Sequence, residues 1–262
     1  MTIEEFITEL FCRVDDEMQD VPKHPQAKLT PSELVVIGFL FVLKGRGQRA
    51  FYRWLRKNWQ GCFPNLVERT RLFRNLAAHQ EWVERFLADP SMIGIIDSYG
   101  VELIHPYREG RSDQQLGRKG ISNHRWIVGI KLCIVINHLG EIVAWEYDTA
   151  NVYDGTAFQE LVDALADDMV IFSDTHFVKK GWEPTNLRPC ERGVWNDRMI
   201  IETVLSMLTR IFDLKRMHHR VPAFLRMHLA YAVTLFNVLI KWHGLPSDDD
   251  GFVPLSIAEF SL

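Results

Sequence analysis

Two β-branched runs separated by three residues commit this chain to a sheet. Trp126 to Asn137 (WIVGIKLCIVIN) is rich in Val and Ile, His138-Leu139-Gly140 supplies a turn, and Glu141 to Tyr147 (EIVAWEY) follows. That is strand, tight turn, strand. A lone hairpin is marginal in water, so its faces need more strands or helices. Two further short apolar runs, Met92 to Asp97 and Met169 to Phe172, have strand length and composition. Between them Asp154 to Asp167 places Phe158, Leu161, Val162 and Leu165 on one helical face. Residues 197–214 form a helix with Ile201, Val204, Leu205, Leu208, Ile211 and Phe212 inward, and a last helix runs from Pro222 to about Trp242. The order strand, long connection, hairpin, helix, strand, loop, helix predicts an α/β fold: a mixed sheet flanked by helices. The connection from Tyr99 to Arg125 carries Gly110, Gly117 and Gly120 and reads as a functional excursion.

Residues 1–90 have a helical period instead. Thr30-Pro31-Ser32-Glu33 is a helix start, with Thr30 as N-cap, Pro31 at N1 and Glu33 at N3. A second helix is expected from Gln48 to Asn58 and a third pattern from Leu66 to Phe86. The division is then a helical region at 1–90, an α/β domain at 91–245 and an acidic tail at 246–262. The apolar runs Leu34 to Leu43 and Leu229 to Ile240 fall short of the 18 or more residues of a membrane span, so they read as buried helices and no membrane partner is expected. The N-terminus shows no secretory signal. Cys12, Cys62, Cys133 and Cys190 are scattered, which excludes a disulfide scaffold and a CxxC zinc site and suits a reducing compartment.

The formal net charge of −4 hides an uneven distribution. From Lys44 to Arg74 nine basic residues face Glu68 alone, a local charge of +8. Residues 102–131 carry +3 and residues 210–226 carry +4, while residues 1–20 carry −6. A polyanion senses the local field, because charges beyond about 8–10 Å are screened. One basic run is usually a solvated helix face; three separate runs favour a polyanionic partner.

Three carboxylates close apolar elements. Asp97 is expected at the C-terminal end of the first strand, Asp174 at the end of Val170-Ile171-Phe172-Ser173, and Glu202 inside the late helix. If the two strands are neighbours the aspartates converge, and a helix over that edge adds the glutamate. Such a trio suits Mg²⁺ or Mn²⁺, not zinc. An Asp just past a strand is commonly a turn or N-cap residue, and Glu202 on its own is commonly solvated. Spacing alone favours those readings. Asn151 and Asp154 read as N-cap or Asx-turn residues, and Lys131 alternates away from Ile130 and Leu132. His218 and His219 lack the partners of a zinc site and read as a DNA contact or a loop.

The wording of four stretches resembles the DDE transposases of bacterial insertion sequences, which use an RNase H-like catalytic fold. The stretches are Ile95-Ile96-Asp97-Ser98; the hairpin with Asn137-His138-Leu139-Gly140-Glu141-Ile142; Thr149-Ala150-Asn151-Val152-Tyr153-Asp154 followed by Ser173-Asp174; and Trp195-Asn196-Asp197-Arg198-Met199-Ile200-Ile201-Glu202-Thr203. The likeness spans roughly residues 28–244. It implies Asp97, Asp174 and Glu202 as ligands of two Mg²⁺ or Mn²⁺ ions, with Arg198, one helical turn before Glu202, orienting it or a phosphate. Double-stranded DNA is the implied partner, met by Arg46, Arg49, Arg53, Arg56, Arg118, Lys119, Arg125, Lys131, Lys179, Lys180, Trp195, Arg210 and Arg220. The resemblance also implies a homodimer pairing two element ends, in the cytoplasm and associated with the nucleoid. Trp195 stands where the family usually has tyrosine, and Thr175 and Thr209 where it often has lysine. An inert transposase-derived DNA-binding protein and a host nuclease of the same fold stay open as alternatives.

Overall fold

The structure, a computed structural model, describes residues 1–45, 47–122, 124–190 and 198–243; the side chains of Arg198 and Met199 lie outside that description. Helices α1 (Ile3–Glu17), α2 (Pro31–Lys44), α3 (Gln48–Asn58) and α4 (Arg69–Ala78) come first, followed by a 3₁₀ segment at Gln80–Phe86. The α2 start is the expected capping box. Thr30 Oγ1 accepts from the Glu33 N–H at 3.1 Å and the Glu33 carboxylate accepts from the Thr30 N–H at 2.6 Å. Every residue of α2 except Glu33 and Lys44 is buried, as an all-round apolar helix requires. The single helix expected from Leu66 to Phe86 breaks at His79, whose ring stacks on Trp82. The tighter 3₁₀ winding eclipses residues three apart, so Val83 and Phe86 both reach the core.

Among the described residues the sheet has six strands: β1 (Ile93–Ile104), β2 (Arg118–Ser122), β3 (Arg125–Asn137), β4 (Ile142–Thr149), β5 (Val170–Ser173) and β6 (Leu187–Pro189). The central β1 lies antiparallel to β3 and parallel to β5, and β5 lies parallel to β6. β2 and β4 share the outer edge of β3. With helices α7 (Arg198–Ile211) and α8 (Pro222–His243) behind it, this mixed sheet has the RNase H-like arrangement.

β1 departs from its expected length. It was expected to stop at Asp97, yet it pairs with β3 as far as Ile104. Val101 and Leu103 continue its buried face, and Ser98 and Gly100 break up the apolar run that would have announced it. The excursion after Tyr99 is therefore shorter than expected and includes β2. The expected helix from Asp154 to Asp167 also divides, into α5 (Asp154–Ala157) and α6 (Gln159–Asp163), at the buried Phe158.

The sheet separates two cores. On one face Ile95, Val101, Leu132, Ile134 and Ile136 pack with α1 to α4, α7 and α8. On the other Ile96, Cys133 and Val135 pack with Phe158, Val162, Ile171 and Phe177. α8 is long and apolar enough to cross a membrane by length and composition, but 78% of its apolar window is buried inside the protein. The two polar residues that interrupt its run are satisfied there. Thr234 Oγ1 donates to the Ala230 carbonyl at 2.7 Å. Asn237 Nδ2 donates to the carbonyls of Phe86 and Ile142, at 3.0 and 2.7 Å, and its Oδ1 accepts from the Ile142 N–H at 2.8 Å. At about 1 kcal/mol net per bond, this clamp fastens α8 to β4 and to the 3₁₀ segment.

His219, in the connection before α8, has its Nε2 3.0 Å from Nδ1 of His228 on α8, and the Phe41 ring packs on His228. His219 lies in the loop before α8, as expected, and is half-buried against His228. Burial lowers both imidazoles, His219 to about 4 and His228 to about 3, from an ordinary 6.5, and each neighbouring histidine adds to it. The folded state holds them neutral while the unfolded state takes up protons below pH 6.5. Their contribution is therefore complete above that pH and is lost as pH falls towards the folded values, at up to about 1.4 kcal/mol per pH unit per site. Thermal melts between pH 7 and 4 should show this decline, and His228→Leu should flatten it. An unchanged slope in that variant would rule the pair out as the source.

Candidate active site

The parallel pairing of β1 with β5 sets Ile93 opposite Val170, Gly94 opposite Ile171 and Ile95 opposite Phe172. Asp97 follows two residues after the last pair on β1, and Asp174 two residues after it on the other chain segment, one residue past the end of β5; paired strand axes lie about 4.8 Å apart, and continuing this register brings the two aspartates level. Asp97 is opposite Ile134 on β3, and Asp174 keeps an extended backbone (φ −79°, ψ 175°). Alternation then puts both carboxylates on the face that carries Ile95 and Phe172, towards the helical core. The site lies at the carboxyl end of β5, where open α/β sheets place ligands, but Asp97 is in the middle of a long strand and not at its end.

Both aspartates are half-buried, and each has local work. Asp97 Oδ1 accepts the N–H of Ser98 at 2.7 Å. Asp174 Oδ1 accepts the N–H of His176 at 2.9 Å and caps the 3₁₀ turn Thr175–Phe177. The turn role expected of a strand-end aspartate is thus present at Asp174, where it uses one carboxylate oxygen.

Glu202 is exposed near the start of α7. The buried stripe of that helix, Ile201, Val204, Leu205 and Leu208, belongs to the core that faces Asp97. Beyond α7 the chain is fastened to the far end of β1: the Glu102 N–H donates to the Lys215 carbonyl, the Met217 N–H donates to the Glu102 carbonyl, and Arg216 lies 3.5 Å from the Glu102 carboxylate. The donors are all carboxylate oxygens, which suits a hard divalent cation. Among the described residues no three His, Cys, Asp or Glu side chains are gathered closely enough to hold a metal ion. Glu202 lies exposed on the helix that packs against the face of β1 carrying Asp97.

The expected DNA contacts are spread over several elements. Arg49, Arg53 and Arg56 are exposed on α3, opposite the buried Phe51 and Leu55. Arg118, Lys119 and Arg125 are exposed on β2 and β3, as are Lys180, Arg210 and Arg220; Lys179 is half-buried. Arg46, Trp195, the side chain of Arg198 and the tail lie outside the described residues. Lys131 and Asp154 are corrections. The Lys131 ammonium donates to Asp154 Oδ1 at 2.8 Å and to the Val152 carbonyl at 3.0 Å, with 17% and 11% of the two side chains exposed. Lys131 is neither at the surface nor free for phosphate, and Asp154 is a buried ion-pair partner instead of a cap. Alternation turns Lys131 away from Ile130 and Leu132 as expected, but α5 covers that face.

Sequence reasoning missed the supports of the Asp174 turn. Tyr153 Oη donates to the Val178 carbonyl at 3.0 Å. A Cβ on Gly155 would lie 2.7 Å from the Phe177 carbonyl oxygen, so α5 sits hard against this turn. The signal was Asn151-Val152-Tyr153-Asp154-Gly155 itself, which the expectation treated as a simple helix start. Against known families, residues 87–187 match the transposase DDE domain. That span holds Asp97 and Asp174 and ends before α7 and Glu202. No curated protein matches the chain.

Proposed function

We propose that this chain, a transposase DDE domain over residues 87–187, cuts the ends of an insertion element and joins them to target DNA. The observation that supports the reading is the parallel pairing of β1 with β5 through Ile95 and Phe172, two residues before Asp97 and Asp174. Those aspartates would hold two Mg²⁺ or Mn²⁺ ions, with Glu202 completing one ligand set. When bound, the ions supply activation of the attacking oxygen and stabilisation of the leaving oxygen of a phosphodiester. The attacking oxygen is water in the nick and the freed 3′-hydroxyl in joining.

Helix lengths support Glu202 as the third member. From the Glu102 anchor back to Asp97 is about 17 Å of strand, and from Ile211 back to Glu202 is about 14 Å of helix. A helix returning over β1 from that anchor therefore brings Glu202 towards the level of Asp97. Arg198, one turn earlier, would orient Glu202 or a phosphate. The helical region 1–90, with Arg46, Arg49, Arg53 and Arg56, would grip duplex DNA, and residues 91–245 would do the chemistry. Two copies would pair two element ends, working at the nucleoid in the cytoplasm, with the acidic tail at 246–262 outside both units.

The test is a donor duplex labelled at the 5′ end of the strand whose 3′-hydroxyl the nick frees, incubated with a circular target and Mg²⁺ or Mn²⁺. Label joined to the circle is the expected product. Nicks without joined product would indicate a host nuclease of this fold. Binding without nicks in either metal would indicate an inert DNA-binding descendant.

A further inference from the structure

The ribbon formed by β2 and β3 extends past the catalytic face and has no role in the chemistry above. Ile121 and Trp126 are directly opposed across it and are 56% and 59% exposed. The Lys119 ammonium lies over the Trp126 ring at 5.2 Å, held from behind by Glu109 at 3.9 Å. Arg118 and Arg125 are exposed on the ribbon's opposite face. Large apolar side chains facing water in a cation-rich setting are more than a solvated edge: charge alone would not require an aromatic ring there, and a protein-facing apolar patch would not require cations on both faces.

We propose that this ribbon is a platform for a DNA strand with unstacked bases, on which Trp126 stacks a base while Lys119, on the same face, holds a flanking phosphate and Arg118 and Arg125, on the other face, add to the local positive field. Exposed aromatic rings stack on any base, whatever the sequence, and interleaved cations follow the backbone. Bases inside a duplex already have both faces covered, so the ring discriminates for strand ends or opened segments. The proposal deepens the transposase reading, since strand cutting produces such ends, and it rests on that reading.

The full-length chain is titrated with a blunt labelled duplex and with the same duplex carrying a single-stranded extension of about eight nucleotides. Trp126→Ala should weaken binding of the extended duplex about tenfold and of the blunt duplex less than about twofold. Trp126→Phe, which keeps a stacking face, should restore most of the affinity. Lys119→Ala should weaken both and lower the salt dependence by about 0.7–0.9, the slope of one lost phosphate contact. Melting temperatures of these surface variants should match the wild type. Equal affinity of Trp126→Ala and wild type for the extended duplex overturns the platform while leaving the transposase reading intact. A change of oligomeric state in Trp126→Ala with unchanged DNA affinity also overturns it, making the surface a protein interface. Failure of the wild type to bind either DNA at low salt overturns the transposase reading and the platform with it.

Discussion

Asp97→Asn should abolish Mg²⁺-dependent nicking while leaving the fold and DNA binding in place. Loss of a partner that merely supports a metal ligand typically costs 10–100-fold, so loss of a carboxylate ligand should exceed about a hundredfold. The amide keeps the size of the side chain, and its oxygen still accepts the Ser98 N–H. Adding Mg²⁺ to the wild type at ten times its dissociation constant should raise its stability by about 1.4 kcal/mol, and this gain should vanish in Asp97→Asn and Asp174→Asn. Paired melts and nicking assays check both halves. Wild-type nicking by either variant would remove the aspartate pair from the chemistry.

Much of the frame was legible in the sequence because its signals are local. The Thr30 box, the turn at His138-Leu139-Gly140 and the α8 start at Pro222 each depend on a few adjacent residues, and each lies where expected. The failures share a cause. From Ile96 onward β1 reads IDSYGVELI, with polar or small residues interrupting the apolar ones, and its strand character comes from pairing with β3, more than twenty residues away. β2 and β6 are five and three residues long, too short for a period, and exist because an edge of the sheet is open to them. The break at Phe158 arises because its ring is drawn into the second core.

The site divides in the same way. Asp97 and Asp174 were legible as carboxylates closing apolar runs, but their adjacency depends on which strands pair and in which direction, and that is a property of the whole sheet. Lys131 was misjudged because alternation states which face a side chain takes and not what covers that face. Here the cover is α5, whose first residue supplies the counter-charge.

That buried pair makes the second large effect. Lys131→Met should destabilise the protein by about 3–5 kcal/mol, because it strands the Asp154 carboxylate without its partner in the interior. At about 2–4 °C per kcal/mol the melting temperature falls by roughly 10 °C. Lys131→Met combined with Asp154→Leu should recover much of the loss, since an apolar pair carries no desolvation cost. The pair also bears on the chemistry through a short chain of contacts. Lys131 holds Asp154 and the Val152 carbonyl, Tyr153 holds the Val178 carbonyl, and Gly155 packs on the Phe177 carbonyl of the turn that Asp174 caps. Gly155→Ala puts a methyl against that carbonyl and should push the turn, lowering nicking about 10–100-fold and raising the Mg²⁺ concentration for half-maximal rate. A merely structural role would lower stability and leave the Mg²⁺ dependence unmoved, so the metal titration of Gly155→Ala and of the double variant decides between support of Asp174 and simple packing. The double variant should restore stability more fully than Mg²⁺ affinity, because a leucine at 154 fills space but no longer ties α5 to β3 at a fixed distance.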